Sequence, residues 1–171
     1  EVVPEVLEGS LMLATHSLLL LGVPLNRVLA RIRAIRAERY SLFRGFFHGA
    51  TDAADAADVA SLFEQVSRDL GAPRLVVHNI DGRVPGIFRK GITEADPALA
   101  LDTLRNAAFS AFLVGQQAAR LMQANTPDAN GAKGTIVFTN ASAALKGFAA
   151  SGAFAMACQA KTGLAQSMAR E

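Results

Sequence analysis

Apolar residues recur at helical spacing near the start of the chain, then gather in short runs between amphipathic stretches. LMLATHSLLLLGV (11–23) is the longest apolar run. It is interrupted by His16 and is shorter than the roughly 20 residues that cross a bilayer, so it predicts a buried helix within 5–22 rather than a membrane span. After Pro24, which suits a first helical position, Leu25, Val28, Leu29, Ile32 and Ile35 form one stripe. That spacing predicts a second helix over 24–41.

From residue 52 the pattern alternates. DAADVASLFEQVSRDLG (55–71) reads as a helix capped by Asp55 and stopped by Gly71. PRLVVHN (73–79) and TIVFTN (135–140) are short apolar runs of the kind that form fully buried parallel strands. Residues 92–125 predict a long helix with a separate first turn before Pro97, NTPDANGAKG (125–134) a turn-rich link, and 152–170 a last helix. The fold expected is α/β: an incomplete Rossmann-like parallel sheet with helices on both faces, preceded by an α-helical N-terminal segment.

Composition narrows the picture. The chain has 171 residues, is 51% hydrophobic and carries a net charge of +2, which points to an ordinary globular domain with no preferred charged partner. A single cysteine, Cys158, excludes an internal disulfide and suits the reducing cytoplasm. Glu1, Glu5 and Glu8 are the opposite of a basic signal-peptide start, and the first residue is not Met, so the start reads as cut. Arg27, Arg31, Arg33, Arg36, Arg39 and Arg44 read as a solvated basic face, since no aromatic interleaving or motif supports nucleic-acid binding. His16, His48 and His78 are dispersed, and no metal site is expected.

Several motifs occur in the order of a known family. TDAADAADVASLFEQV, LVVHNID, TIVFTNAS and GLAQSMARE resemble successive segments of short-chain dehydrogenase/reductases, single-domain Rossmann-type oxidoreductases that use NAD or NADP. The resemblance implies that Asp52 is the acid contacting adenine. It also aligns Asn79 with the second Asn of the turn after the fourth strand, and Asp81 with the usual glycine. Ser142 is the nearest match to the catalytic serine. Counting back from GLAQSMARE places Phe154 at the tyrosine position and Cys158 at the lysine position, twelve residues of spacing from Ser142 to Phe154. A register that uses Lys161 as the lysine puts Ala157 at the tyrosine and stretches that spacing to fifteen.

The family's chemistry moves a proton through a tyrosine hydroxyl whose pKa a lysine lowers, while the nicotinamide exchanges a hydride and the serine orients a carbonyl. Neither register supplies that acid. Tyr40, in YSLFR (40–44), is the sole tyrosine of the sequence and precedes the sheet. Lys161 returns to nearly the face of Phe154 about two turns on, roughly 10 Å away by helix rise, and is expected at the mouth of a pocket. Ala107 holds the place of the family's asparagine in the long helix, with Asn106 one residue out of phase.

The cofactor half is incomplete as well: no Gly-x-Gly-x-x-Gly turn occurs in the 171 residues. Residues 1–52 resemble instead the end of the cytoplasmic nucleotide-binding region of bacterial glutathione-gated potassium/proton antiporters. The expected organisation is a helical antiporter-like segment, 1–51, and a partial reductase domain, 52–171. The expectation is a protein of oxidoreductase ancestry with impaired chemistry toward a small carbonyl or alcohol, doubtful NAD or NADP binding, and homo-oligomerisation through the long helix, where Ala107, Ser110, Ala111 and Gly115 allow close approach. A regulatory module of antiporter origin and a non-functional fusion are the alternatives.

Overall fold

The computed structural model describes residues 51–171, which form one compact unit. The helices expected at 5–22 and 24–41, and the residues Tyr40, His16 and His48, lie outside the described residues. Within the unit the elements run α1 (Ala56–Leu70), β1 (Leu75–His78), α2 (Pro97–Leu104), a π-helical turn (Arg105–Phe109), α3 (Ser110–Gln123), β2 (Thr135–Phe138), a 3-10 turn (Ser142–Ala144) and α4 (Gly152–Met168).

Local chemistry explains where the helices start. Asp55 accepts from the amides of Ala57 and Asp58 at 2.8 and 3.0 Å, satisfying donors that the first turn of α1 leaves unpaired. Gly71, at φ 82°, stops that helix. Asp96 caps α2 through the Ala98 amide, and Pro97 follows at the first helical position, where its missing N–H costs nothing.

β1 and β2 pair in parallel, with Val76 opposite Ile136 and His78 opposite Phe138. The long helix connects them in sequence. Val76 and Ile136 pack beneath Val59 and Phe63 of α1 and Leu113, Ala118 and Met122 of α3, which make the main core. Gly115 lets α3 sit against both β2 and α4: a Cβ there would lie 3.0 Å from Phe138 Cζ and 3.0 Å from Met168 Sδ. A second cluster joins Ala143 and Ala144 of the 3-10 turn to Phe154, Ala155 and Cys158 of α4.

Two expectations are corrected. β1 is not fully buried: Leu75 and Val77 are 40% and 46% exposed, because among the described residues the helices pack on the Val76 face and leave the alternate face open. The small residues Ala107, Ser110, Ala111 and Gly115 are buried inside the unit, so they serve its own packing. The outward side of the long helix carries Leu101, Phe109 and Phe112 instead.

Candidate nucleotide site

A cavity of about 330 Å³ opens where the start of α1, the turn after β1 and the π-helical turn meet. The first wall is Thr51, Asp52 and Ala54. Asp52 is held in place locally: its Oδ1 accepts from the Ala54 amide at 2.9 Å, and its own amide donates to Asp58 Oδ2 at 3.0 Å. Arg105 stands beside it, with Nη2 3.9 Å from Asp52 Oδ2.

The second wall is Ile80, Gly82 and Arg83. Gly82 has φ 77°, and a Cβ on it would fall 2.4 Å from Ala107 Cβ and 2.6 Å from the Ala107 amide nitrogen. It is therefore Gly82, not position 81, that supplies the turn's close backbone approach to the long helix. Arg83 is gripped on three sides. Its Cζ lies 4.5 Å from the ring centre of Phe88 and 4.4 Å from that of Phe154, while its Nε and Nη2 donate to Asp81 at 2.6 and 2.5 Å. Hydrogen bonding to Arg83 holds the Asp81 carboxyl below its usual range.

The third wall is Asn106 and Ser110. A π turn absorbs one extra residue and releases a carbonyl from the regular helical ladder. The one-residue phase error at Asn106 falls in this turn, so Asn106 reaches the cavity despite its offset. Its carbonyl accepts from the Ser110 hydroxyl. The same hydroxyl lies 2.8 Å from His78 Nε2, a contact whose direction the histidine tautomer sets. His78 Nδ1 is buried without a hydrogen-bond partner among the described residues. Burial, and next the charge of Lys161, lower the His78 pKa to about 4, so the ring is neutral at pH 7.

Lys161 does not line the cavity and is buried rather than at a pocket mouth. Its Nζ donates to the carbonyls of Ile80 at 3.1 Å and Thr139 at 3.2 Å, bridging the two chain segments that leave the sheet. Burial lowers its pKa. Asn79 does not line the cavity either; its Oδ1 accepts from Thr139 Oγ1 at 2.8 Å and laces the same two segments. The lacing continues at Asn140, whose Nδ2 donates to the Cys158 carbonyl at 2.9 Å.

The remaining expected residues cluster on α4. Ser142 is exposed at the start of the 3-10 turn, and that turn packs on the face carrying Phe154 and Cys158. Burial pushes the Cys158 thiol up, so it is neither a thiolate nor a replacement for a lysine charge. Phe154 presents its ring to Arg83. The sequence assigns no role to Arg83, and marks Ser110 only as a small packing residue and His78 only as a dispersed histidine; Arg83, directly after the glycine of the turn, carried a usable signal.

A family model described as enoyl-(acyl carrier protein) reductase matches residues 26–171. The chain belongs to this family of short-chain dehydrogenase/reductases. The match begins inside the 1–51 segment. A short-chain dehydrogenase from Rhodopseudomonas palustris has TM-score 0.65 at 26% identity, over 83% of this chain and 62% of that one. An enoyl-(acyl carrier protein) reductase from Anaplasma phagocytophilum, solved with NAD, has TM-score 0.59 at 17% identity over 70% of this chain and 42% of its own. A short-chain dehydrogenase from Shigella flexneri, solved with NADP, has TM-score 0.60 at 19% identity over 84% and 56%. The last two likenesses concern the fold alone.

A curated protein named as the K(+) efflux antiporter KefB of Alkalimonas amylolytica is 44% identical over 52 residues, 30% of this chain and 8% of its own length. This chain thus spans under two thirds of each relative's length. Among the described residues no helix is long and apolar enough to cross a membrane, and no group of His, Cys, Asp or Glu is placed to hold a metal ion.

Proposed function

We propose that this reductase-family chain keeps a nucleotide-binding cavity and has lost the family's proton-transfer chemistry. The observation that carries the reading is the Arg83–Phe154 stack. Where the family places a hydroxyl acid, the chain places a hydrocarbon ring covered by a cation, and Phe154 can neither give nor take a proton. No substitute stands beside it. Lys161 is committed to two backbone carbonyls, Cys158 is a buried thiol, and Ser142 faces solvent.

The cavity fits one nucleoside half of NAD or NADP. Asp52 and Asn106 offer an acid and an amide to ribose hydroxyls and a base edge, and Thr51 adds a hydroxyl. A pyrophosphate cradle does not accompany them, because the sequence has no glycine-rich turn. When bound, the nicotinamide cofactor supplies hydride; this chain's residues supply a place for its adenosine end. Calorimetric titration of the full chain with NADPH and NADH, paired with steady-state oxidation of each by an activated ketone, tests the reading. Binding without turnover supports it, and turnover sinks it.

A second reading rests on the antiporter match. On it, the first 51 residues are an interaction module that couples the chain to a potassium transporter. Co-purification of the full chain with such a transporter, lost when 1–51 is removed, is the outcome that favours it.

A further inference from the structure

Resting on the nucleotide-binding reading above, we propose that Arg83 is the anion-holding arm of the cavity, and that the ligand it selects is a nucleoside monophosphate rather than a free nucleoside or an entire dinucleotide.

Size comes first. At about 330 Å³ the cavity lies at the lower end of the roughly 300–1,000 Å³ that small-molecule sites span, room for one nucleoside with one anionic group. Charge comes second. One acid, Asp52, and one base, Arg83, line the space, and they come from different chain segments: Asp52 precedes α1 and Arg83 follows β1. The remaining polar groups, Thr51 and Asn106, are neutral hydrogen-bonding partners suited to hydroxyls and ring nitrogens.

The mounting of Arg83 is the third argument. A long cationic side chain on a turn ordinarily samples many rotamers, and ordering it costs binding energy. Here Phe88 and Phe154 hold the guanidinium plane between them at 4.5 and 4.4 Å, so that cost is met in advance. Asp81 occupies Nε and Nη2, whereas Nη1 makes no hydrogen bond to any of the described residues. A phosphate takes Nη1 at once and competes with Asp81 for Nη2, the planar fork that guanidinium offers to tetrahedral anions.

Asp81 therefore tunes the arm. Its carboxylate holds the guanidinium when no ligand is present and repels an incoming phosphate. Removing its charge tightens the site, whereas a purely structural Asp81 would weaken binding when removed.

The test is calorimetric titration of the full chain with AMP, adenosine, inorganic phosphate and NADPH. AMP is expected to bind about tenfold more tightly than adenosine, the effect of one charge-assisted hydrogen bond, and more tightly than phosphate or NADPH. In Arg83→Gln the AMP-to-adenosine ratio collapses to about one. In Asp81→Asn the ratio widens by about threefold or more, a gain that partial unfolding cannot produce. Adenosine and AMP binding equally to the unmodified chain, or a ratio unchanged in Arg83→Gln, overturns the anion arm while leaving the nucleotide cavity standing. NADPH binding more tightly than AMP overturns the choice of a monophosphate, as does phosphate binding as tightly as AMP. Failure of every nucleoside and nucleotide to bind overturns the cavity reading and the arm together. Should Arg83→Gln not fold, an AMP affinity unchanged or weakened in Asp81→Asn is sufficient to reject the proposal.

Discussion

The guanidinium of Arg83 lies 4.4 Å from the centre of the Phe154 ring. This stack joins the turn after β1 to α4, at the residue proposed above to stand where the family keeps its proton donor. A cation over a hydrocarbon ring contributes about 0.5–2 kcal/mol to stability and contributes no acid or base. The same contact therefore bears on folding, on ligand charge and on the proposed loss of chemistry.

Restoring the missing pair does not restore the enzyme. Phe154→Tyr with Cys158→Lys should raise NADPH-dependent carbonyl reduction less than about tenfold above background, against the hundred- to ten-thousand-fold that a positioned general acid supplies. The new lysine would enter a buried apolar cluster beside Ala143 and Ala144, and the deficits in acid and cofactor grip do not compensate one another. Steady-state rates of the double variant check this.

Acid sensitivity should trace to His78. Its pKa is lowered in the folded chain from 6.5 to about 4, chiefly by burial, while the unfolded chain protonates near 6.5. Between these values the unfolded state binds the extra proton, so stability is lost as pH falls from 6.5 towards 4, by up to about 3 kcal/mol. His78→Gln keeps a donor for Ser110 and removes the titration. Urea midpoints measured over this window should slope less steeply with pH in the variant; parallel slopes would rule the assignment out.

Lys161 acts as a buried tie. Lys161→Met leaves the Ile80 and Thr139 carbonyls without their donor, at about 1–3 kcal/mol for each stranded group, partly offset because a buried charge goes too. The expected net loss at pH 7 is about 2 kcal/mol. Since the folded pKa is lowered, the unfolded chain holds the proton to higher pH, and the unmodified protein gains stability as pH rises from the folded pKa towards the ordinary lysine value of 10.5. That alkaline gain should vanish in the variant, as read by chemical denaturation.

Gly82 should be intolerant of any side chain. Gly82→Ala meets a backbone at φ 77° and atoms of Ala107 at 2.4–2.7 Å, two of them backbone. The expected cost is several kcal/mol, above the about 1 kcal/mol of conformational strain alone. Because the Ala107 amide nitrogen and Cα are themselves too close, adding Ala107→Gly should recover little of the loss. Thermal midpoints of the two variants decide this.

Much of the scaffold was legible in the sequence. The apolar runs at 73–79 and 135–140 announced a parallel pair, and Asp55 and Gly71 announced the bounds of the first described helix, because these signals are local. What escaped were offsets of one residue. Asp81 was read against the family's glycine, but Gly82 makes the close approach. Asn106 was read as out of phase, but a π turn, which no periodicity reveals, carries it to the cavity. Lys161 was placed by helix rise alone, which gives position along α4 and nothing about the carbonyls that bury its ammonium. Arg83 sits on a turn whose course no short-range pattern fixes, so its two rings, one on α4, were beyond the reach of sequence reasoning.

The most direct test of the lost chemistry is steady-state oxidation of NADPH by an activated ketone with the unmodified full chain. The account predicts no turnover above the protein-free rate. Turnover that Ser142→Ala abolishes would contradict it, since a group at the Ser142–Phe154 cluster would then be delivering the proton that Phe154 cannot.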